Sequence, residues 1–262
     1  CFAFSANAPV MFFISVAFWN LVGAGLFVRS LRNATSVPLG FDAGRVIEVV
    51  PDFRGFAMDS AEGSRQRRRI LEVARRLPGV EHAARVNSGL FRTNTASLAV
   101  EGIDSVEALG RFNMQITSPD YFDVLQIRLL RGRRFTDDDR AGTPRVTVIS
   151  EAMARALWPG SDALGQCIRI GIGARVSAAT PCTTVVGIAD NTAQQDLDDD
   201  PRFMYYLPLE QVAPEVSTLL LRMAAADPRA ELERVRRELT RAMPGDGFVF
   251  ARPLQEVVDD QS

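Results

Sequence analysis

The chain has 262 residues, a formal net charge of −2, a single histidine and three cysteines. All 30 of its basic residues are arginine, so chemistry that requires lysine, such as Schiff-base formation or a phosphate-loop lysine, is excluded. The near-neutral charge argues against nucleic-acid binding, and the cysteines and histidine do not have the spacing of a zinc site. The length is sufficient for a membrane segment followed by one larger or two smaller globular units.

The first predicted element is a transmembrane helix within residues 1–30. Residues 9–28 carry no charge, and twenty helical residues span about 30 Å, the thickness of the hydrocarbon core of a bilayer. Arg29 and Arg32 follow this segment, whereas a cleaved signal peptide has its basic residues before the apolar stretch. Taken alone, these arginines would place the following domain in the cytoplasm. Asn20 predicts either contacts with other membrane helices or a position near the lipid interface.

A strand, a helix and two further strands are predicted next, at residues 45–50, 61–77, 80–86 and 96–101. Asp59 and Glu62 have the spacing of a capping box, and Pro78-Gly79 ends the helix. Four arginines near the start of the helix predict either an ordinary solvated face or a contact with anionic lipid headgroups or a partner: Arg65, Arg67, Arg68 and Arg69.

A similar unit recurs at the end of the chain. It consists of a strand at 218–223, a helix that starts at Asp227-Pro228, and a strand at 248–251. Pro244-Gly245 ends the second helix in the way that Pro78-Gly79 ends the first. We therefore expect residues 42–101 and 215–262 to form two β-α-β halves of one α/β subdomain.

Residues 102–214 lie between these halves and predict an inserted, β-rich subdomain. Strands are expected at 112–117, 145–149, 167–170, 184–188 and 203–207. One short helix should start at Ser118-Pro119, with Ser118 as its N-cap, and a second should cover residues 151–157. The predicted fold class is thus α+β, with one N-terminal transmembrane helix before the globular part.

None of the common catalytic or cofactor motifs is present. His82 has no Gly-x-Ser-x-Gly turn to accompany it, so a serine-hydrolase triad is not expected. Gly171 and Gly173 lie between strands and predict a hairpin loop rather than a dinucleotide-binding turn. General acid-base catalysis by paired carboxylates stays an open alternative, because the sequence does not show which carboxylates lie close together. The sequence nominates no residue for a catalytic, cofactor-binding or metal site.

Two runs of aspartate were considered as metal ligands. Asp196, Asp198 and Asp200 have the alternate spacing of a calcium loop, but Pro201 occupies the position at which glycine must turn the chain. The second run, Asp137-Asp138-Asp139, predicts a solvated turn.

Cys167 and Cys182 flank the predicted hairpin of strands 167–170 and 184–188. In a symmetric register they would lie opposite each other, with about 4.5 to 5.5 Å between their Cα atoms, which suits a disulfide in an oxidising compartment. The pair therefore predicts a disulfide bond. The alternative is two unpaired, partly buried thiols.

The segment from residue 118 to residue 209 resembles the periplasmic core domain of MacB/FtsX-like ABC-transporter permeases. The resemblance is carried by four stretches in this order: SPDYFDVLQIRLLRGRRFTDDD, VTVISEAMARALWPGSDALGQCIRI, TVVGIADN and MYYLPL. Upstream, LVGAGLFVRSLRNATSVPLGFDAGRVIEV is similar to the exit from the first membrane helix in a duplicated permease subgroup that often has no fused ATPase.

The resemblance implies a periplasmic domain with a porter-like α/β subdomain and an inserted β-rich subdomain, anchored in the bacterial inner membrane. It further implies a permease homodimer or pseudo-dimer, a separate cytoplasmic ABC ATPase, and export or extraction of a substrate by transmitted motion without catalysis in this domain. Further membrane helices would follow residue 262. The alternative is a single-pass, membrane-anchored sensor or binding module, and an extracytoplasmic enzyme is the third hypothesis.

Overall fold

Strands and short helices alternate along the computed structural model, which describes residues 40–53, 60–89, 94–192, 202–212 and 218–260. The strands are β1 (Val46–Asp52), β2 (Val80–Val86), β3 (Ser97–Ala99), β4 (Arg111–Thr117), β5 (Leu129–Gly132), β6 (Val146–Ser150), β7 (Cys167–Gly171), β8 (Cys182–Ala189), β9 (Arg202–Pro208), β10 (Thr218–Met223) and β11 (Phe248–Pro253). The helices are α1 (Ser60–Arg75), α2 (Tyr121–Val124), α3 (Glu151–Leu157), α4 (Leu209–Val212), α5 (Leu232–Ala242) and α6 (Leu254–Asp259).

The predicted membrane helix within residues 1–30 lies outside the described residues. Among the helices that the structure describes, none has the length and the apolar character needed to cross a bilayer.

The eleven strands belong to one sheet with the order β11-β1-β10-β2-β4-β9-β6-β8-β7-β3, and β5 pairs with β8. Most pairs are antiparallel, but β4 with β9 and β6 with β8 are parallel. We call β11, β1, β10 and β2 the first section of the sheet and the remaining strands the second section. Within the described residues, Val86 and Thr117 are the one ladder pair that joins β2 to β4 and so connects the two sections.

The first section has a split β-α-β arrangement. The units β1-α1-β2 and β10-α5-β11 interleave, because β10 lies between β1 and β2 while β1 lies between β10 and β11. Buried residues of α1 and α5 share one hydrophobic cluster with alternate residues of these strands. The Pro-Gly pair after each helix makes a left-handed turn, with φ of 81° at Gly79 and 52° at Gly245.

Three hydrophobic clusters form the core. One packs α1 and α5 against the first section, and a second surrounds α3 in the second section. The third contains residues of both sections together with α2 and α6. Neighbouring strand residues alternate between the last two clusters: Val148 and Tyr206 belong to the third, and Ile149 and Tyr205 to the second. The third cluster therefore holds the two sections together.

Most predicted elements agree with the structure. β2, α3 and β10 have the predicted bounds, and α1 and the other predicted strands agree within two residues at each end. Asp227 caps the turn before α5, since its carboxylate accepts a hydrogen bond from the Arg229 N–H at 3.0 Å. The prediction for Ser118 was wrong: its hydroxyl accepts a hydrogen bond from the backbone N–H of Arg85 (2.9 Å), and α2 begins at Tyr121. β5, α4 and α6 were not predicted.

Candidate functional site

The junction between the two sections contains a fully buried arginine, Arg222 on β10, whose side chain is 2% exposed. Its Nη1 donates a hydrogen bond to the carbonyl of Val124 on α2 (3.0 Å), and its Nη2 donates one to the carboxylate of Asp42. The Glu81 carboxylate lies 3.9 Å from Nε, and the backbone N–H of Asp42 donates to the carbonyl of Leu125 (2.9 Å). One guanidinium thus connects the segment before β1, the first section and α2.

Asp42 is ionised in this arrangement. Burial raises the pKa of its carboxyl, but the hydrogen bonds from Arg222 and from the backbone N–H of Gly44 together lower it more, so the pKa lies below its ordinary value. The contact between Asp42 and Arg222 is therefore a charge-assisted hydrogen bond, which is stronger than a neutral one.

A second buried arginine, Arg85 on β2, faces the second section. Its side chain is 5% exposed, and its Nη1 lies 3.6 Å from the Glu210 carboxylate on α4. Glu210 also accepts a hydrogen bond from Arg68 on α1 at 2.9 Å. The pKa of Arg85 is lowered to about 10, chiefly because burial disfavours the charged guanidinium; Glu210 opposes this shift, and Arg67 and Arg68 add to it. Glu210 therefore links α1 and β2 of one section to α4 of the other.

Backbone hydrogen bonds complete the junction beside the pair of Val86 and Thr117. The N–H of Ser118 donates to the carbonyl of Arg85 (2.9 Å), and the Ser118 hydroxyl accepts from the Arg85 N–H at the same distance. The Thr117 hydroxyl donates to the same carbonyl at 3.3 Å. These contacts and the hydrogen bonds between Asn87 and residues 115–116 of β4 add to the two arginine clusters and to the third hydrophobic cluster in connecting the two sections.

Cys167 and Cys182 lie on β7 and β8, but not directly opposite each other. Cys167 faces Thr184 and Cys182 faces Arg169, because hydrogen bonds between Val185 and the residues before β7 fix the register. The cysteine Cα atoms are nevertheless 5.5 Å apart, and the disulfide stays a prediction. This separation lies within the range that disulfides require.

The other residues singled out in the sequence are not brought together. His82 is exposed on β2 and opposes Arg222 in the ladder. Asp139 contradicts the prediction of a solvated turn, because it is buried and paired with Arg133. The other aspartate run, Asp196, Asp198 and Asp200, lies outside the described residues, as does Asp59 of the expected capping box. Among the described residues, no group of three or more histidine, cysteine, aspartate or glutamate side chains could hold a metal ion.

The profile of the MacB-like periplasmic core domain family matches residues 10–242 of the chain. The chain belongs to this family.

Two solved structures share the fold of this MacB-like domain. The periplasmic region of MacB from Actinobacillus actinomycetemcomitans is 13% identical, with a TM-score of 0.55 over 86% of this chain and 95% of that one. A domain of a putative permease protein from Porphyromonas gingivalis is 17% identical, with a TM-score of 0.51 over 81% of this chain and 92% of that one.

A sequence relative is the uncharacterized ABC transporter permease YvrN from Bacillus subtilis, which is 39% identical over 51 residues. The match covers 20% of this chain and 12% of the length of that protein. The chain therefore aligns with a small part of a longer permease.

Arg222 and Glu210 were not identified from the sequence of this MacB-like domain. Arg222 lies in the strand sequence TLLLRM, where it is the one charged residue among mostly apolar neighbours. A charged residue in such a strand indicates a buried ion pair, and this signal could have identified Arg222. Glu210 gave no comparable signal, since it lies in a four-residue helix that has no clear apolar periodicity.

Proposed function

We propose that this MacB-like domain is the periplasmic part of an ABC-transporter permease in the bacterial inner membrane. In this proposal a separate cytoplasmic ATPase hydrolyses ATP, and the membrane helices of a permease homodimer or pseudo-dimer move in response. The domain carries that motion to the exported or extracted substrate and performs no catalysis itself. Family membership and the match to a permease from Bacillus subtilis support this assignment.

The contact between Asp42 and Arg222 is the observation that carries the proposal. Asp42 follows the predicted membrane segment of residues 9–28, and it is bonded both to the first section, through Arg222, and to α2, through Leu125. A displacement of the chain at Asp42 would therefore act on β10 and on α2, and α2 shares the third hydrophobic cluster with residues of both sections.

We also propose that the two sections behave as two subdomains, a porter-like α/β subdomain and an inserted β-rich one. The expected boundaries were residues 42–101 with 215–262, and residues 102–214. The pairing of β3 with β7 favours a first boundary between β2 and β3, because residues 97–99 then belong to the inserted part. The disulfide of Cys167 and Cys182 would form in the periplasm.

The test measures motion between the sections during ATP hydrolysis. Spin labels are attached at Arg237→Cys on α5 and Ser161→Cys after α3, in a permease whose own cysteines are replaced by serine, and reconstituted with its ATPase. We expect the distance between the labels to change when ATP hydrolysis is trapped. Arg222→Met should reduce this change while ATP hydrolysis continues, because the link from Asp42 to the sheet is lost.

Arg229→Met is the matched control, since Arg229 forms an exposed ion pair with Glu256 on the surface, and the distance change should persist. If the permease associates with no ATPase and the labels do not move, the proposal fails. The chain would then be better described as a membrane-anchored sensor or binding module.

A further inference from the structure

A cavity of about 350 Å³ lies between the start of β6, the β7–β8 hairpin and α4. Its size falls in the range of roughly 300 to 1,000 Å³ that is typical of small-molecule sites. Its walls include the apolar side chains of Ile170, Ile172 and Val212 and the guanidinium groups of Arg145 and Arg175. This combination of charged and apolar walls is the starting point for the inference.

Among the described residues, the charged side chains that line the cavity are all positive. Its lining residues include two arginines and no aspartate or glutamate, and neither Arg145 nor Arg175 forms an ion pair within the described part of the chain. A second cavity, of about 380 Å³ beside Trp158, differs in this respect. Its arginines, Arg131 and Arg155, are each paired with a carboxylate, on Asp162 and Glu151. Of these two cavities, the first is therefore the better suited to an anion.

The apolar wall is also unusually accessible. Ile172 is 44% exposed, although large hydrophobic side chains elsewhere in the described residues are mostly buried. It lies in the hairpin loop beside Arg175, so an apolar group and a cationic group face the same cavity. An occupant with an anionic head and an apolar tail would satisfy both.

The hairpin loop that forms one wall is held in place by specific contacts. The Ser97 hydroxyl donates a hydrogen bond to the carbonyl of Ala174 (2.9 Å) and accepts one from the N–H of Val176 (3.0 Å). A Cβ atom at Gly171 would lie only 2.3 Å from the Ala174 carbonyl oxygen, so the loop packs closely onto β7. A wall fixed before binding reduces the entropy that a ligand loses on binding.

We propose that this cavity binds a small anionic amphiphile, whose carboxylate or phosphate head contacts Arg145 and Arg175 and whose short acyl chain contacts Ile170, Ile172 and Val212. Guanidinium groups recognise both kinds of oxyanion. The binding site does not depend on the proposed transmission of motion, because it requires only the folded domain.

Calorimetry on the full chain in nanodiscs of zwitterionic lipid tests the proposal, with empty nanodiscs subtracted. The probes are octanoate and octyl phosphate, which differ in the head group. Octan-1-ol provides the chain without the charge, and acetate provides the charge without the chain. We expect one saturable site for octanoate, octyl phosphate or both, with octan-1-ol and acetate each at least about tenfold weaker.

Variants locate the site. Arg145→Ala and Arg175→Ala should each weaken the binding of the anionic probe by about tenfold, the loss expected for one charged hydrogen bond, and Ile172→Ser should weaken it through the lost apolar contact. Arg237→Ala on α5 removes the same charge outside the cavity and should have no effect. Retained binding of octan-1-ol by the two arginine variants, and an unchanged melting temperature in every variant, show that the variants are folded.

The proposal is overturned if octan-1-ol binds as tightly as octanoate, which would indicate a purely apolar pocket. It is also overturned if acetate binds as tightly as octanoate, or if the variant with both Arg145→Ala and Arg175→Ala binds the anionic probes as well as the wild type does.

Discussion

Asp139 is almost fully buried, and its carboxylate accepts hydrogen bonds from the two terminal nitrogens of the Arg133 guanidinium (2.8 and 2.9 Å) and from the backbone N–H of Thr136 (2.8 Å). Burial raises its pKa, but these hydrogen bonds lower it more, so the pKa of Asp139 lies below its ordinary value. The ionised carboxylate consequently stabilises the loop after β5.

Asp139→Asn should lower the free energy of unfolding by about 2 kcal/mol at pH 7, because it removes hydrogen bonds between charged groups. A carboxyl whose folded-state pKa is depressed contributes stability above the unfolded-state pKa of about 3.9, and this contribution is lost as the pH falls through the folded-state pKa. The difference between wild type and variant should therefore shrink below about pH 4. Urea unfolding at pH 7 and pH 3 measures it.

Asp138→Asn is the control for this prediction, since Asp138 is an exposed neighbour in the same acidic run and should change the stability little at either pH. An equal difference between wild type and Asp139→Asn at both pH values would contradict the role of the ionised carboxylate.

Single buried charges are the features that the sequence predicted worst. Asp139 belongs to a run of three aspartates, and composition alone cannot show which one of them turns inward to Arg133. Arg222 is similar, because its burial depends on Asp42 and Val124, which are distant in sequence and become neighbours only in the folded chain.

Among the secondary-structure elements, β5 depends on a close backbone approach to β8. A Cβ atom at Gly132 would lie 2.2 Å from the carbonyl oxygen of Val186, whereas a Cβ at Gly142 would meet nothing within 4 Å. Both glycines have a positive φ, of 76° and 86°. Gly142→Ala should therefore lower the free energy of unfolding only by the strain of a non-glycine residue in the left-handed conformation, about 1 to 2 kcal/mol.

Gly132→Ala should lower the free energy of unfolding by the same backbone strain and by about 1 to 3 kcal/mol more, because the new Cβ atom displaces β5 from β8. Urea unfolding of the two variants measures the difference directly, since the backbone strain is common to both. If Gly132→Ala and Gly142→Ala lowered the free energy of unfolding equally, β5 could move away from β8 without loss of stability, which would contradict the prediction.

The hairpin of β7 and β8 has its own prediction. If Cys167 and Cys182 form a disulfide, reduction should lower the free energy of unfolding by about 3 kcal/mol, the value for a loop of about this length, since the two residues are separated by 15 positions. A variant with both cysteines replaced by serine should be insensitive to reductant. Two thiols that react freely with an alkylating agent in the folded, unreduced protein would contradict the bond.

Elements with regular periodicity were predicted well, whereas the shortest ones were not. α1 and α5 repeat their apolar residues at helical spacing, and β2 and β10 are runs bounded by clear turn residues. β5, α4 and α6 have four to six residues each, too few to show a period. Ser118 had the sequence of an N-cap, but its hydroxyl is bonded to Arg85 on β2, a contact that local sequence does not specify.

For the molecule as a whole, Glu210 is the carboxylate that links the two sections through Arg68 and Arg85. Glu210→Gln removes the negative charge beside Arg85, so exchange of the amide hydrogens of Asn87 and Ser118, which donate across the junction to Ile116 and Arg85, should become about tenfold faster. Hydrogen exchange followed by mass spectrometry measures this.

Glu233→Gln on α5 is the control, because Glu233 forms an exposed pair with Arg236 and exchange of the amide hydrogens of Asn87 and Ser118 should stay the same. If Glu210→Gln accelerated exchange equally in all elements, the ion pairs would stabilise the whole fold rather than the junction.

The division of the chain into two matching halves and an insertion was expected from the sequence, but the strand order was not. Residues 97–99 were assigned to the first half and pair instead with β7. The continuous sheet also requires β4 to lie beside both β2 and β9. Which strands become adjacent depends on how segments that are distant in sequence pack against the same hydrophobic clusters. A single sequence contains little information about that packing.

The interleaved order β11-β1-β10-β2 has a consequence for biosynthesis. β1 and β2 are made early but do not pair with each other, because β10 lies between them and is made only after the whole second section. β1 therefore has no partner strand, and β2 has only the pair of Val86 and Thr117, until β10 (Thr218–Met223) has been made. We infer that the first section folds only after nearly the whole chain has been made, and that a chaperone which shields unpaired strand edges would increase its yield.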